Sequence, residues 1–179
     1  MQTWLKVGRN LRDLVVVLAR GSGAVAALTV LAMCLMITAE VVLRGAFNES
    51  LIWVSEIVGY LMVALIFLSL GEAMLAGSHI RIDLLVDKLP KRLRNQLEVF
   101  TLALSTAASA FFTWHGLTTA LRSYQYGRRD AFGSLSAPLF IPQMALPIGL
   151  LILTLVLAAL LCRQIAVVHS DSKAPGTER

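Results

Sequence analysis

The sequence predicts an all-α integral membrane protein with four transmembrane helices, on two observations. The 179-residue chain is 57% hydrophobic and its mean hydropathy is +0.73, which is too apolar for the surface of a soluble domain. Charge is nearly absent deep inside four apolar stretches, and each is long enough for the roughly 20-residue helix that crosses a bilayer core. These predicted spans are residues 24–42, 51–75, 97–121 and 143–162.

The distribution of Lys and Arg predicts the orientation of the spans. Twelve of these residues lie in the N-terminal segment, the loop between helices 2 and 3 and the C-terminal tail, whereas four lie in the other two loops. Because basic residues are retained on the cytoplasmic side, both termini are expected in the cytoplasm. The same clustering beside the spans argues against a nucleic-acid partner, although the net charge is +5.

Three regions follow from this pattern: an amphipathic N-terminal segment, 1–23, a four-helix membrane domain, 24–162, and a flexible cytoplasmic tail, 163–179. Within the first region, leucines alternate with basic side chains. Such a segment either lies flat on the anionic leaflet or extends helix 1 into the cytoplasm, and both alternatives stay open.

Two connections have recognisable patterns. After helix 2, apolar residues recur at helical spacing and predict a short amphipathic segment at the cytoplasmic interface; they are Ile82, Leu85, Val86 and Leu89. Before helix 4, three prolines predict irregular backbone until about Pro147; they are Pro138, Pro142 and Pro147.

Ionisable side chains within the spans are the first candidates for function. Glu40 and Arg44 lie one helical turn apart near the outer end of helix 1, and Glu56 lies at similar depth in helix 2. Arg44 between the two carboxylates would clamp the antiparallel pair formed by helices 1 and 2. The alternatives are that these residues contact a partner protein or that they form a proton or ion site. Trp53 nearby suits the outer membrane interface. Glu72, near the inner end of helix 2, is expected to be interfacial and solvated.

Helix 3 has a stripe of small polar residues at every fourth position, namely Thr101, Ser105, Ser109 and Thr113. In lipid, small side chains let helix backbones approach closely and hydroxyl groups bond between helices. The stripe therefore predicts helix packing, with a polar path through the membrane as the alternative.

Catalytic and cofactor chemistry are not indicated. Of three histidines, only His115 lies within a span, whereas a haem held by two histidines needs a second one at matching depth. Zinc sites need clustered ligands, and the motifs typical of phosphate binding or nucleophilic catalysis are missing from the sequence. We therefore expect neither an enzyme nor a bound cofactor or metal.

Four motifs, in order and at the right spacing, resemble the DctQ-type small membrane subunit of tripartite ATP-independent periplasmic (TRAP) transporters over about residues 25–162. The motifs are 40–44, 49–57, 77–83 and 135–149. Ser55 departs from the family pattern, which often has a second acidic residue before the position of Glu56, and Phe140 stands where Trp is common.

The resemblance implies an accessory scaffold in the bacterial inner membrane. Its expected partners are a large DctM-type permease subunit that holds the substrate and sodium sites, a periplasmic solute-binding protein, and membrane lipids. Organic acids or similar solutes are the expected cargo. Four charged residues would face the periplasm, where they contact the receptor or are simply solvated: Glu49, Arg128, Arg129 and Asp130. The membrane anchor of a respiratory oxidoreductase and a small dimeric exporter are the alternative functions.

Overall fold

The computed structural model describes residues 2–47, 51–76, 91–129 and 137–172. These ranges contain four helices: α1 (Gln2–Phe47), α2 (Ile52–Leu75), α3 (Lys91–Gln125) and α4 (Phe140–Ser172). Each is long and apolar enough to cross a membrane, which confirms the predicted fold class. The predicted interfacial segment between helices 2 and 3, together with Glu49 and Asp130, lies outside the described residues.

Helices α2 and α4 form the centre of the bundle. Among the described residues, α2 contacts both α1 and α4, α3 contacts α4, and α1 makes a smaller contact with α4. Across the bundle the helices therefore follow the order α1, α2, α4, α3. Large apolar side chains point outwards along its length, as expected for a surface that meets lipid; Leu28 and Leu35, for example, are 66% and 64% exposed.

Helix α1 is much longer than a membrane span. Its 46 residues give a length of about 69 Å, against an apolar core of roughly 30 Å. The helix is continuous from the amphipathic N-terminal segment into the span. This continuity corresponds to the alternative in which that segment extends helix 1 beyond the membrane.

Glycines bring the central helices into close contact. A side chain on Gly149 of α4 would collide with the backbone carbonyl of Phe67 in α2, and a Cβ on Gly71 would lie 2.8 Å from Ile152. On the other side of α4, Gly116 of α3 lies directly against Leu146. Since lipid supplies no hydrophobic drive for association, such backbone approach is what holds membrane helices together.

The irregular approach predicted as far as Pro147 is wrong, because α4 is helical from Phe140 and contains Pro147. Pro142 lies in the first turn, where backbone N–H groups have no partner within the helix. Pro147 does remove one hydrogen bond, but its ring packs on α3, where a Cβ on Gly116 would be 3.6 Å away. Neighbouring helices commonly support prolines inside membrane spans in this way.

Candidate functional site

The C-terminal end of α1 contains a paired carboxylate. Glu40 is 8% exposed and forms an ion pair with Arg44, one turn further along the same helix. Glu56 is half-buried in the second turn of α2. The structure thus unites Glu40 and Arg44 within α1, whereas a bridge from Arg44 to Glu56 across the hairpin stays a prediction. Trp53 is 40% exposed at the beginning of α2, as an interfacial aromatic side chain would be.

Two members of the helix 3 stripe meet α4. Ser109 is 6% exposed, and its Oγ lies 2.5 Å from Thr154 Oγ1. Either of these two hydroxyls can be the donor, and Thr154 Oγ1 also donates to the carbonyl of Leu150 at 2.7 Å. Thr113 Oγ1 lies 3.4 Å from Thr154 Oγ1. We call Ser109, Thr113 and Thr154 the hydroxyl trio.

The other two members of the stripe are placed differently. Thr101 is exposed and donates to the carbonyl of Leu97 in its own helix at 2.8 Å, and Ser105 is half-buried. A repeat of four residues advances about 400° and so drifts around a helix axis. The drift explains why Thr101 is exposed whereas Ser109 and Thr113 meet α4. Because the hydroxyls of the trio bond to each other and to backbone, their geometry favours the packing interpretation.

Thr154→Val is expected to lower the free energy of unfolding of the purified subunit by roughly 1–2 kcal/mol, because it leaves Ser109 without its hydrogen-bond partner between two helices. Reversible denaturation in detergent micelles would measure the change. Thr101→Val is the matched control, since that hydroxyl is exposed and bonds only within α3; its effect should stay within about 0.5 kcal/mol. Equal stability of the two variants would contradict a packing role for the trio.

The C-terminal end of α3 is followed by two arginines in a defined turn. Gly127 has a φ of 58°, and Arg128 N–H donates to the carbonyl of Ser123 at 3.0 Å, which together make a Schellman cap. Leu139 N–H then donates to the carbonyl of Arg128 at 3.1 Å and ties the turn to the beginning of α4. Arg128 and Arg129 are exposed at the end of the bundle where α3 ends and α4 begins.

A cleft of about 560 Å³ opens between α2 and α3, which are separated by α4. Its walls are almost entirely apolar. Gln143 Oε1 is buried there without a hydrogen-bond partner in the part of the chain that the structure describes. The lining residues are Tyr60, Val63, Phe67, Phe112, His115, Gly116, Thr119, Pro142, Gln143, Leu146 and Leu150. Within the described ranges, no three His, Cys, Asp or Glu side chains come together as metal ligands.

Glu72, whose place in the sequence predicts an interfacial and solvated side chain, is partly enclosed by α1. Its carboxyl group lies in the groove between α1 and α2, directly against Gly23 of α1, and the residue is half-buried. Any larger residue at position 23 would displace it. The sequence signal that was missed is the Ser22-Gly23 pair in helix 1, since adjacent small residues mark close helix approach.

The sequence is similar to those of known membrane proteins. Residues 33–167 match the family described as "Tripartite ATP-independent periplasmic transporters, DctQ component". The ectoine TRAP transporter small permease protein TeaB of Halomonas elongata is 31% identical over 126 residues, which cover 70% of this chain and 64% of that protein. The C4-dicarboxylate TRAP transporter small permease protein DctQ of Vibrio cholerae is 26% identical over 145 residues, covering 69% and 62%.

The chain thus spans slightly less than two thirds of the length of each of these two relatives. Both are components of transporters rather than enzymes, and both belong to the inner membrane, in keeping with the four membrane-length helices. The family match extends over most of the chain, from the middle of α1 to the last turns of α4. The chain belongs to the family of DctQ-type small permease subunits of TRAP transporters.

Proposed function

We propose that this subunit is a static scaffold for a large permease subunit that holds the substrate and sodium sites. The observation that supports a scaffold is that polar groups of α3 and α4 form hydrogen bonds with each other. The hydroxyl trio joins α3 to α4, and Gln164 Nε2 donates to Glu98 Oε2 at 2.9 Å between the same two helices. These groups bind one another, which is the arrangement of a packed interface rather than of a solute pathway.

The partners follow from the family. Its description names a tripartite periplasmic transporter, so the proposed complex contains this subunit, the large permease and a periplasmic solute receptor. The two relatives are named for different solutes, ectoine and C4-dicarboxylates. Because relatives in one family are named for different solutes, we propose that the partner proteins select the solute and that the small subunit does not. We propose sodium-coupled import of an organic acid or a similar solute.

The receptor is proposed to dock near the outer ends of α3 and α4. Arg128 and Arg129 are exposed there, and the Schellman cap and the hydrogen bond to Leu139 hold their backbone in place. A fixed pair of cations suits an acidic patch on a receptor. Simple solvation of the two arginines is the alternative.

Co-expression with the large permease subunit tests the scaffold proposal. A tag on this chain should recover the large subunit from mild detergent in a stoichiometric complex, and the receptor should join when solute is present. Recovery of this chain alone would contradict the proposal. Recovery of a haem-containing dehydrogenase would instead support the anchor function, which the comparisons do not favour.

A further inference from the structure

The groove between α1 and α2 contains a carboxylate that has no ion-pair partner among the residues that the structure describes. Glu72 lies against Gly23, and no ion pair joins it to any residue that the structure describes. Arg20, one turn from Gly23 on α1, is exposed and forms no ion pair with Glu72. By contrast, the carboxylate of Glu40 in α1 forms an ion pair with Arg44.

The packing around Glu72 makes an uncompensated charge costly. The preceding residue, Gly71, packs on Ile152 of α4 and Ala19 of α1, whose side-chain atoms would lie 2.8 and 3.6 Å from a Cβ at position 71. The carboxyl group itself lies against Gly23, where the apolar stretch of α1 begins, and the apolar stretch of α2 ends near Glu72. The carboxylate therefore lies near the cytoplasmic boundary but within the packed groove between α1 and α2, and ionisable side chains in membrane helices mark functional contacts.

The neighbouring face of α2 is open. Its exposed residues recur at helical spacing and several are small, so that another helix can approach closely; they are Ser55, Gly59, Met62, Ile66 and Ala73. A Cβ on Gly59 would meet nothing within 4 Å. Glu72 is half-buried and lies about 100° around the helix axis from Ala73, at the edge of this face.

We infer that Glu72 pairs with an arginine or lysine side chain on a membrane helix of the large permease subunit, which docks along the open face of α2. The inference rests on the proposed scaffold function. Charge complementarity identifies the occupant: lipid chains cannot neutralise a carboxylate, whereas a basic side chain in a partner helix does so and fixes the register between the subunits. The lack of a side chain at Gly23 leaves room for the carboxylate in the groove.

Glu72→Gln tests this inference, since it removes the charge and keeps the shape. Recovery of the co-expressed large subunit should fall about tenfold, within the range for polar contacts between membrane helices, while the melting temperature of the isolated subunit stays unchanged. Glu72→Arg should abolish recovery. Glu98→Gln is the matched control, because that carboxylate is bonded inside the bundle by Gln164; it should leave recovery of the large subunit unchanged.

The outcomes separate this inference from the proposed function. If the wild-type chain recovers no large subunit, the scaffold proposal fails and the inference fails with it. If the wild-type chain and Glu72→Gln recover it equally, the inference is overturned and the scaffold proposal stands. An equal loss with Glu98→Gln would also overturn it, since the loss would then not be specific to Glu72. A lower melting temperature of the isolated Glu72→Gln subunit would overturn it too, since that result assigns the Glu72 carboxylate a role within the bundle.

Discussion

Gly149→Ala is expected to destabilise the isolated subunit by about 3 kcal/mol, at the upper end of the cost of overpacking a core. The added methyl group would collide with the backbone carbonyl of Phe67, and a helix backbone cannot move aside as a flexible side chain can. Helices α2 and α4 would have to separate at the contact that forms the centre of the bundle. Reversible unfolding in detergent micelles measures the effect.

Gly59→Ala is the matched control for this variant. It makes the same change inside a membrane helix, but the new methyl group meets nothing within 4 Å. In the isolated subunit, alanine should be neutral or stabilise the helix by up to about 1 kcal/mol. If Gly149→Ala were as stable as Gly59→Ala, the close crossing of α2 and α4 would not be what holds the two hairpins together.

Arg44→Ala is expected to cost about 1–3 kcal/mol of stability, because it leaves the buried carboxylate of Glu40 without its partner. The exposure of Arg44, whose side chain is 61% accessible, keeps the value below that of a fully buried pair. Removing the charge as well, in Glu40→Gln/Arg44→Ala, should restore part of the stability, since no unpaired buried charge remains. Wild-type stability of Arg44→Ala would show that the pair contributes nothing.

The same variants test the predicted clamp between the hairpin helices. A double-mutant cycle of Arg44→Ala and Glu56→Gln reports the coupling energy between the two side chains directly. Coupling of about 0.5 kcal/mol or more would support a bridge from α1 to α2. Strictly additive effects would restrict Arg44 to its partner in α1, and Glu56 would have a separate role.

The number of helices and the place of their apolar parts could be read from the sequence, because lipid imposes a simple length rule on apolar stretches. The full length of the helices could not, since α1 extends over 46 residues. The stripe in helix 3 likewise pointed to the interface where Ser109 and Thr113 meet α4. Its drift around the axis, which leaves Thr101 exposed, depends on which face α3 turns towards its neighbour. That choice is made by packing between helices distant in the chain.

Two features could not be obtained from local sequence for the same reason. Pro147 argues against helix in isolation, but in the bundle its ring is supported by Gly116 of α3. Glu72 reads as a solvated interfacial residue until Gly23 of α1 is placed opposite it. Both depend on a glycine in another helix. A glycine in the sequence indicates that another helix can approach closely, but it does not indicate which helix does so.

Reconstituted uptake tests the central claim, that this subunit supports a transporter and does not itself move solute. Proteoliposomes would contain this subunit alone, or this subunit with the large permease, each supplied with the receptor, a sodium gradient and the labelled solute that the receptor binds. We predict accumulation only with the complete complex. Sodium-dependent accumulation in proteoliposomes that contain this subunit as their sole membrane protein would contradict the account.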